Sequence, residues 1–124
     1  MAKKDVSPLE FELMEVLWRK GEATAKEIQT ALAPERPLAQ TTVATLLMRM
    51  TQKGCIAYRE GNSARMYRPL VPRDQVVRRK LDDLVQTVLG GDISPLVSYI
   101  AEHHRLTPEQ IGSLKSILKS GKEE

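Results

Sequence analysis

The chain has 124 residues, a formal charge of +3 and only 4% aromatic residues. At that length it forms one domain, or a small domain with an appendage. No run of about 18 apolar residues is present to span a membrane, and no apolar segment follows Met1 to make a secretory signal. One cysteine, Cys55, can neither staple the chain nor build a cysteine-based metal site, and it fits a reducing cytoplasm.

Ser7-Pro8-Leu9-Glu10 opens a first helix. Ser7 is an N-cap, Pro8 suits the first helical position, and Glu10 closes a capping box. Leu9, Leu13, Val16 and Leu17 follow at helical spacing, and Gly21 stops the helix, which spans about 8–20. Thr24 and Glu27 repeat the box for a short helix over about 25–32, with Ala25, Ile28 and Leu32 inward. Pro34 and Pro37 break the chain. A third helix runs from Gln40 to the stop at Gly54, with Val43, Leu46, Leu47 and Met50 inward. Its other face holds Gln40, Thr41, Thr42, Ala44, Thr45, Met48 and Arg49. So many β-branched threonines are mediocre helix formers, which points to a surface that they contact. Residues 56–60 and 65–69 flank Gly61-Asn62 as a hairpin.

After Pro72 the composition changes. Val76, Val77, Leu81, Leu84, Val85, Val88 and Leu89 make one long stripe over about 73–89, closed by Gly90-Gly91. Ser94-Pro95 caps a helix holding Leu96, Val97, Tyr99 and Ile100. Thr107 and Gln110 box a last helix holding Ile111, Leu114, Ile117 and Leu118.

Charge is unevenly spread. Residues 36–68 hold six basic residues, Arg36, Arg49, Lys53, Arg59, Arg65 and Arg68, and one acid, Glu60. Such an island suits a polyanion.

The expected fold is therefore mostly α. A winged helix-turn-helix over 1–72, three helices plus a β-hairpin wing, is followed by a helical dimerisation region over 73–124. In a winged helix the third helix enters the DNA major groove. About 50 residues carrying three apolar stripes bury them poorly alone, and a second copy would cover them. The expected homodimer contacts are Leu81, Leu84, Val85, Val88, Leu96, Tyr99, Ile100, Ile111, Leu114, Ile117 and Leu118. Two reading heads on one duplex suit a dyad operator.

Two stretches carry a family resemblance: Ser7 to Trp18, and Thr42 to Gly54 with its closing Lys53-Gly54. With the strand Arg65–Pro69 and the Gly90-Gly91 break, they resemble the BlaI/MecI/CopY (penicillinase repressor) family over about 7–119. The resemblance implies a homodimeric transcriptional repressor on double-stranded operator DNA. It also implies a sensor metalloprotease, triggered by a β-lactam, that leads to cleavage in the dimerisation helices. The family is cut at an Asn-Phe bond, and the matching position here is Ser98-Tyr99, a departure at the first residue. A sibling branch senses copper through a C-terminal cysteine cluster. Cys55 is the only cysteine and precedes the wing, which excludes that route.

On the third helix, Thr41, Thr42 and Thr45 suit phosphates or thymine methyls, and Gln40 suits adenine. The resemblance also puts family contacts near these threonines. Arg49 and Lys53 suit phosphate. Arg59, Arg65 and Arg68 surround the wing, and alternation lets at most two of them share one face. Tyr58, Tyr67 and Trp18 read as packing residues. Met14, Met48, Met50 and Met66 read as filler. His103-His104 lacks helix-face spacing for a metal site, so no metal and no cofactor is expected. No phosphate loop or nucleophile motif supports an enzyme. The alternative is a winged helix that docks a protein partner without specific DNA binding.

Overall fold

The computed structural model describes residues 5–122. The chain divides into two compact units, residues 1–82 and 83–124. Helix α1 spans Pro8–Lys20, α2 Ala25–Leu32 and α3 Gln40–Lys53. Strands β1, Ile56–Glu60, and β2, Arg65–Pro69, form an antiparallel hairpin.

Local chemistry sets these boundaries. At α1 the Glu10 N–H donates to Ser7 Oγ (3.2 Å), and the Ser7 N–H donates to Glu10 Oε1 (2.9 Å). Thr24 and Glu27 reciprocate in the same way at α2. Gly21 (φ 86°) and Gly54 (φ 84°) end α1 and α3 in conformations that a Cβ disfavours. At the hairpin turn, a Cβ on Gly61 would lie 2.4 Å from the Ala64 carbonyl oxygen, so only glycine fits.

Long-range contacts then assemble the first unit. Leu13, Met14, Val16 and Leu17 of α1 pack with Ile28 of α2 and with Val43, Leu46, Leu47 and Met50 of α3. Cys55, Ile56, Val71 and Val76 close the same core. Each large side chain fully buried there is worth about 1.5–3 kcal/mol. Trp18 is half-buried against this core, and its indole N–H donates to the Val71 carbonyl (2.8 Å). Between α1 and α2, Ala23 exchanges backbone hydrogen bonds with Tyr67 (3.0 and 2.8 Å). This one-residue bridge fastens the helix connection to the hairpin. The Gln29 side chain donates to the Leu38 carbonyl (2.9 Å) and fixes the loop into α3.

The stripe over 73–89 is not one regular helix. Helix α4 spans Arg73–Asp83, and Leu84–Val88 widens into a π-helical turn. There the Thr87 hydroxyl donates back to the Asp83 carbonyl (2.6 Å), a bond that competes with the regular ladder. Helix α4 also packs on the first unit: Val76 is buried, Arg73 pairs with Glu15, and Lys80 donates to the Val6 carbonyl. The two compact units part after Asp82.

In the second unit α5 spans Ser94–His103 and α6 spans Pro108–Lys122. Ser94 is not the cap of α5. It is the first helical residue, and its N–H donates to Asp92 Oδ1 (3.0 Å), a bond that lowers the Asp92 pKa. Thr107 and Gln110 cap α6 reciprocally. His103 stacks on Tyr99 with ring centroids 4.3 Å apart. His104 lies past the helix end, so its ring also approaches Tyr99, at 5.6 Å.

Among the described residues, no side chain of the second unit is buried. Val88 is 71% exposed, Tyr99 53% and Ile111 40%. Leu84 is exposed, while Val85, Leu96 and Ile100 are half-buried. Leu81, at the end of α4, is 49% exposed. The side chains of Leu114, Ile117 and Leu118 lie outside the described residues.

Candidate nucleic-acid interface

Helix α3 is oriented by its buried stripe. Val43, Leu46, Leu47 and Met50 face the core, so residues on the opposite side of a 3.6-residue turn face solvent. Gln40, Thr41, Ala44, Thr45, Met48, Arg49 and Gln52 are all exposed, and Thr42 is half-buried beside Val43. Thr41, Thr42, Thr45 and Arg49 line a shallow groove of about 330 Å³ together with Leu9 and Leu46. The Thr45 hydroxyl donates to the Thr41 carbonyl (2.9 Å), a bond it can exchange for an external acceptor without moving the backbone.

The start of α3 differs from those of α1 and α2. Its N-cap is Ala39, with no side-chain cap bond, and its first turn holds no acid. Its leading N–H groups and the positive end of its dipole are thus left for an outside anion.

The basic residues are distributed less simply than their order in the chain suggests. Lys53 does not join the exposed face. Its ammonium donates to Glu10 Oε1 (2.6 Å) and to the Asp5 carbonyl (3.1 Å). Arg36 pairs with Glu12 (2.7 Å), and Arg59 chelates Glu22 (2.8 and 3.0 Å). Three cations of the middle third are therefore matched by acids of the first. Among the described residues, Arg49 and Arg68 make no ion pair within 4.0 Å. Exposed pairs are worth about 0–1 kcal/mol, so Arg36 and Arg59 can exchange their partners for phosphate at small cost.

The register of the wing sorts its arginines. Arg59 stands opposite Met66, Ala57 opposite Arg68 and Glu60 opposite Arg65. Arg59 and Arg68 thus share one face, and Arg65 lies on the other. Arg65 sits 4.1 Å from the Tyr58 ring centroid and 3.4 Å from Glu60. Tyr67 packs on the core, while Tyr58 is 40% exposed.

Glu10 joins the end of α3 to the start of α1. Burial pushes its pKa up, but hydrogen bonds from Lys53 and from the Ser7 N–H, with the charge of Lys53, hold it below the ordinary carboxylate value. A depressed pKa stabilises the fold above the unfolded value, about 4.3, and that stabilisation disappears as pH falls through the folded value. Glu10→Gln is expected to cost about 1–2 kcal/mol at pH 7. The gap from wild type should narrow as the solution is acidified from pH 5 to pH 3. Urea unfolding across that range checks this; a constant gap would show that the carboxylate charge is immaterial.

Sequence reasoning missed Gln52 and the Ala23 bridge. Gln52 continues the exposed face one turn beyond Met48, and that spacing was the available signal. A single bridging residue such as Ala23 has no period to detect.

Comparisons with known proteins agree with this geometry. The family model "Penicillinase repressor" matches residues 6–120. A methicillin resistance regulatory protein MecI of Mammaliicoccus sciuri is 27% identical over 92% of this chain and 93% of its own. A transcriptional regulator BlaI of Mycobacterium tuberculosis is 36% identical over 89% of this chain and 80% of its own. The solved DNA-binding domain of the repressor BlaI superposes with a TM-score of 0.52 at 23% identity, covering 56% of this chain and 85% of that domain, which shows the shared winged-helix fold. With its capped three-helix core, its hairpin and a match that runs through both units, this chain belongs to the penicillinase repressor family.

Proposed function

We propose that the protein is a transcriptional repressor that binds a dyad operator in double-stranded DNA as a homodimer. The observation that carries the reading is the outward face of α3, where Gln40, Thr41, Thr45 and Arg49 stand exposed beside an uncapped helix start. Inserted in a major groove, that face meets base edges, and the leading N–H groups and Arg49 meet phosphates. Arg68, with Arg59 on the same face of the wing, supplies further backbone contacts. Arg65, on the opposite face, reaches a phosphate only if the duplex passes over the wing tip. Lys53 acts indirectly, by holding the end of α3 against Glu10.

The second unit supplies the dimer. Among its described residues no apolar side chain is fully buried within one chain, and a second copy brings an identical set to cover them. The switch is cleavage in this unit by a sensor metalloprotease answering a β-lactam. Its support is the family relation and the exposure of Ser98 and Tyr99 on α5, ahead of α6. A cut there detaches α6 from the apolar surface that pairs two copies. The reaction belongs to the protease, and this chain acts by binding in the cytoplasm.

The test is an anisotropy titration of the full chain against its own upstream promoter region, at several salt concentrations and with scrambled competitor. Binding that resists the competitor and weakens with a log–log salt slope of roughly −0.9 per phosphate contacted is expected. Arg49→Ala and Arg68→Ala should each flatten that slope by about 1. Binding that scrambled DNA removes completely, with the protein retaining its fold, would favour docking of a protein partner instead.

A further inference from the structure

The centre of the outward face of α3 carries no charge. Measured around the helix from the core stripe, the residues farthest from Val43, Leu47 and Met50 are Thr41, Met48, Gln52 and Thr45, with Ala44 alongside. Arg49 flanks that face on one side as Ala44 does on the other, and it lines a groove with Thr41, Thr42, Thr45, Leu9 and Leu46. The commonest direct reading of guanine uses a bidentate arginine or lysine, and the centre of this face has neither. It has instead a methionine 56% exposed, one turn beyond the Ala44 and Thr45 methyl groups and one turn before the Gln52 amide. An unbranched thioether is flexible and polarizable, and it covers an apolar point of imprecise position well. On a major-groove floor the apolar point is the C5 methyl of thymine.

We propose that Met48 is a specificity-determining residue that reads thymine methyl groups, so that the operator half-site places one or two thymines under the middle of α3. The inference rests on the DNA-binding reading above and adds the base that is read. Thr41 and Thr45 flank the contact with their own methyls, and Gln52 reaches the neighbouring base edge. Met48 touches no phosphate, so it contributes to sequence choice and not to the salt dependence.

The experiment uses the promoter site that the full chain selects, with each thymine replaced in turn by deoxyuridine. That exchange removes one methyl and leaves pairing and phosphates intact. Wild type is expected to lose about three- to fivefold in affinity at one or two positions of each half-site, the amount that burial of one methyl group supplies. Met48→Ala should bind the thymine site more weakly by a similar factor, show no further loss at those positions, and keep the wild-type salt slope. Met48→Leu should restore most of the methyl sensitivity. The side chain is exposed, so these variants leave the fold intact, and circular dichroism verifies it. Indifference of wild type to every deoxyuridine would overturn the proposal. So would an equal loss in wild type and Met48→Ala, which would assign the methyl to another side chain. If wild type selects no site at all, the DNA-binding reading fails first, before any modified base is tested.

Discussion

A double variant, Thr41→Asp with Thr45→Asp, is expected to lose specific operator binding altogether while remaining a folded dimer. The two positions are one turn apart and both are exposed. Two carboxylates there would face a polyanion at close range. Residual affinity should fall to the non-specific level, a loss of roughly 10³-fold or more. The fold tolerates the change. Neither side chain enters the core, and an acid at position 41 lies in the first turn of α3, where the helix dipole favours it. The hydroxyl bond from Thr45 to the Thr41 carbonyl is lost at small cost. Anisotropy on the promoter fragment, with sedimentation of the free protein, separates the two properties. Unchanged affinity would remove α3 from the interface.

The second large effect is expected from Val88→Lys with Ile111→Lys. Both residues are exposed in the single chain, so lysine disturbs little there. In a symmetric dimer the same change puts four ammonium groups into an apolar contact, at a desolvation cost that nothing in the pair offsets. The variant should sediment as a monomer. Its operator affinity should fall by about 10²–10⁴-fold, because the second half-site is then no longer bound intramolecularly. Each winged helix would still recognise a half-site, so the specificity for sequence should survive in weakened form. A variant that remains dimeric would place the interface elsewhere.

The two predictions draw on features of different legibility. The first follows from a pattern that lies within one helix: buried residues spaced three and four apart declare which side faces out. The second follows from apolar stripes that the sequence already marks as too many to bury alone, with the fold adding which of their residues, Val88 and Ile111, stand exposed. The same contrast runs through the basic residues. In sequence, six cations within 33 residues look like bare positive charge. In the fold, Glu10, Glu12 and Glu22 reach across to Lys53, Arg36 and Arg59, and among the described residues Arg49 of α3 and Arg68 of the wing are left without an ion pair within 4.0 Å, with the charge of Arg68 still acting on Glu22. No local pattern announces such pairs, because their members are 24 to 43 positions apart.

What the sequence determined by itself was the set of elements and most of their ends. Capping boxes at Ser7, Thr24 and Thr107, and stops at Gly21 and Gly54, act over three or four residues, and the hairpin turn at Gly61 acts within four. Short-range hydrogen bonds and steric limits of that kind are properties of the local chain and survive any arrangement of the rest. The tertiary structure decided what depends on partners remote in the chain. It seated α4 on the first unit through Val76, Arg73 and Lys80, opened the π-helical turn before Gly90, bridged Ala23 to the wing, and turned Lys53 inward. It also left Tyr58 40% exposed while its cross-strand partner Tyr67 packs on the core. Side-chain type does not distinguish these two tyrosines; the position of each against the packed core does.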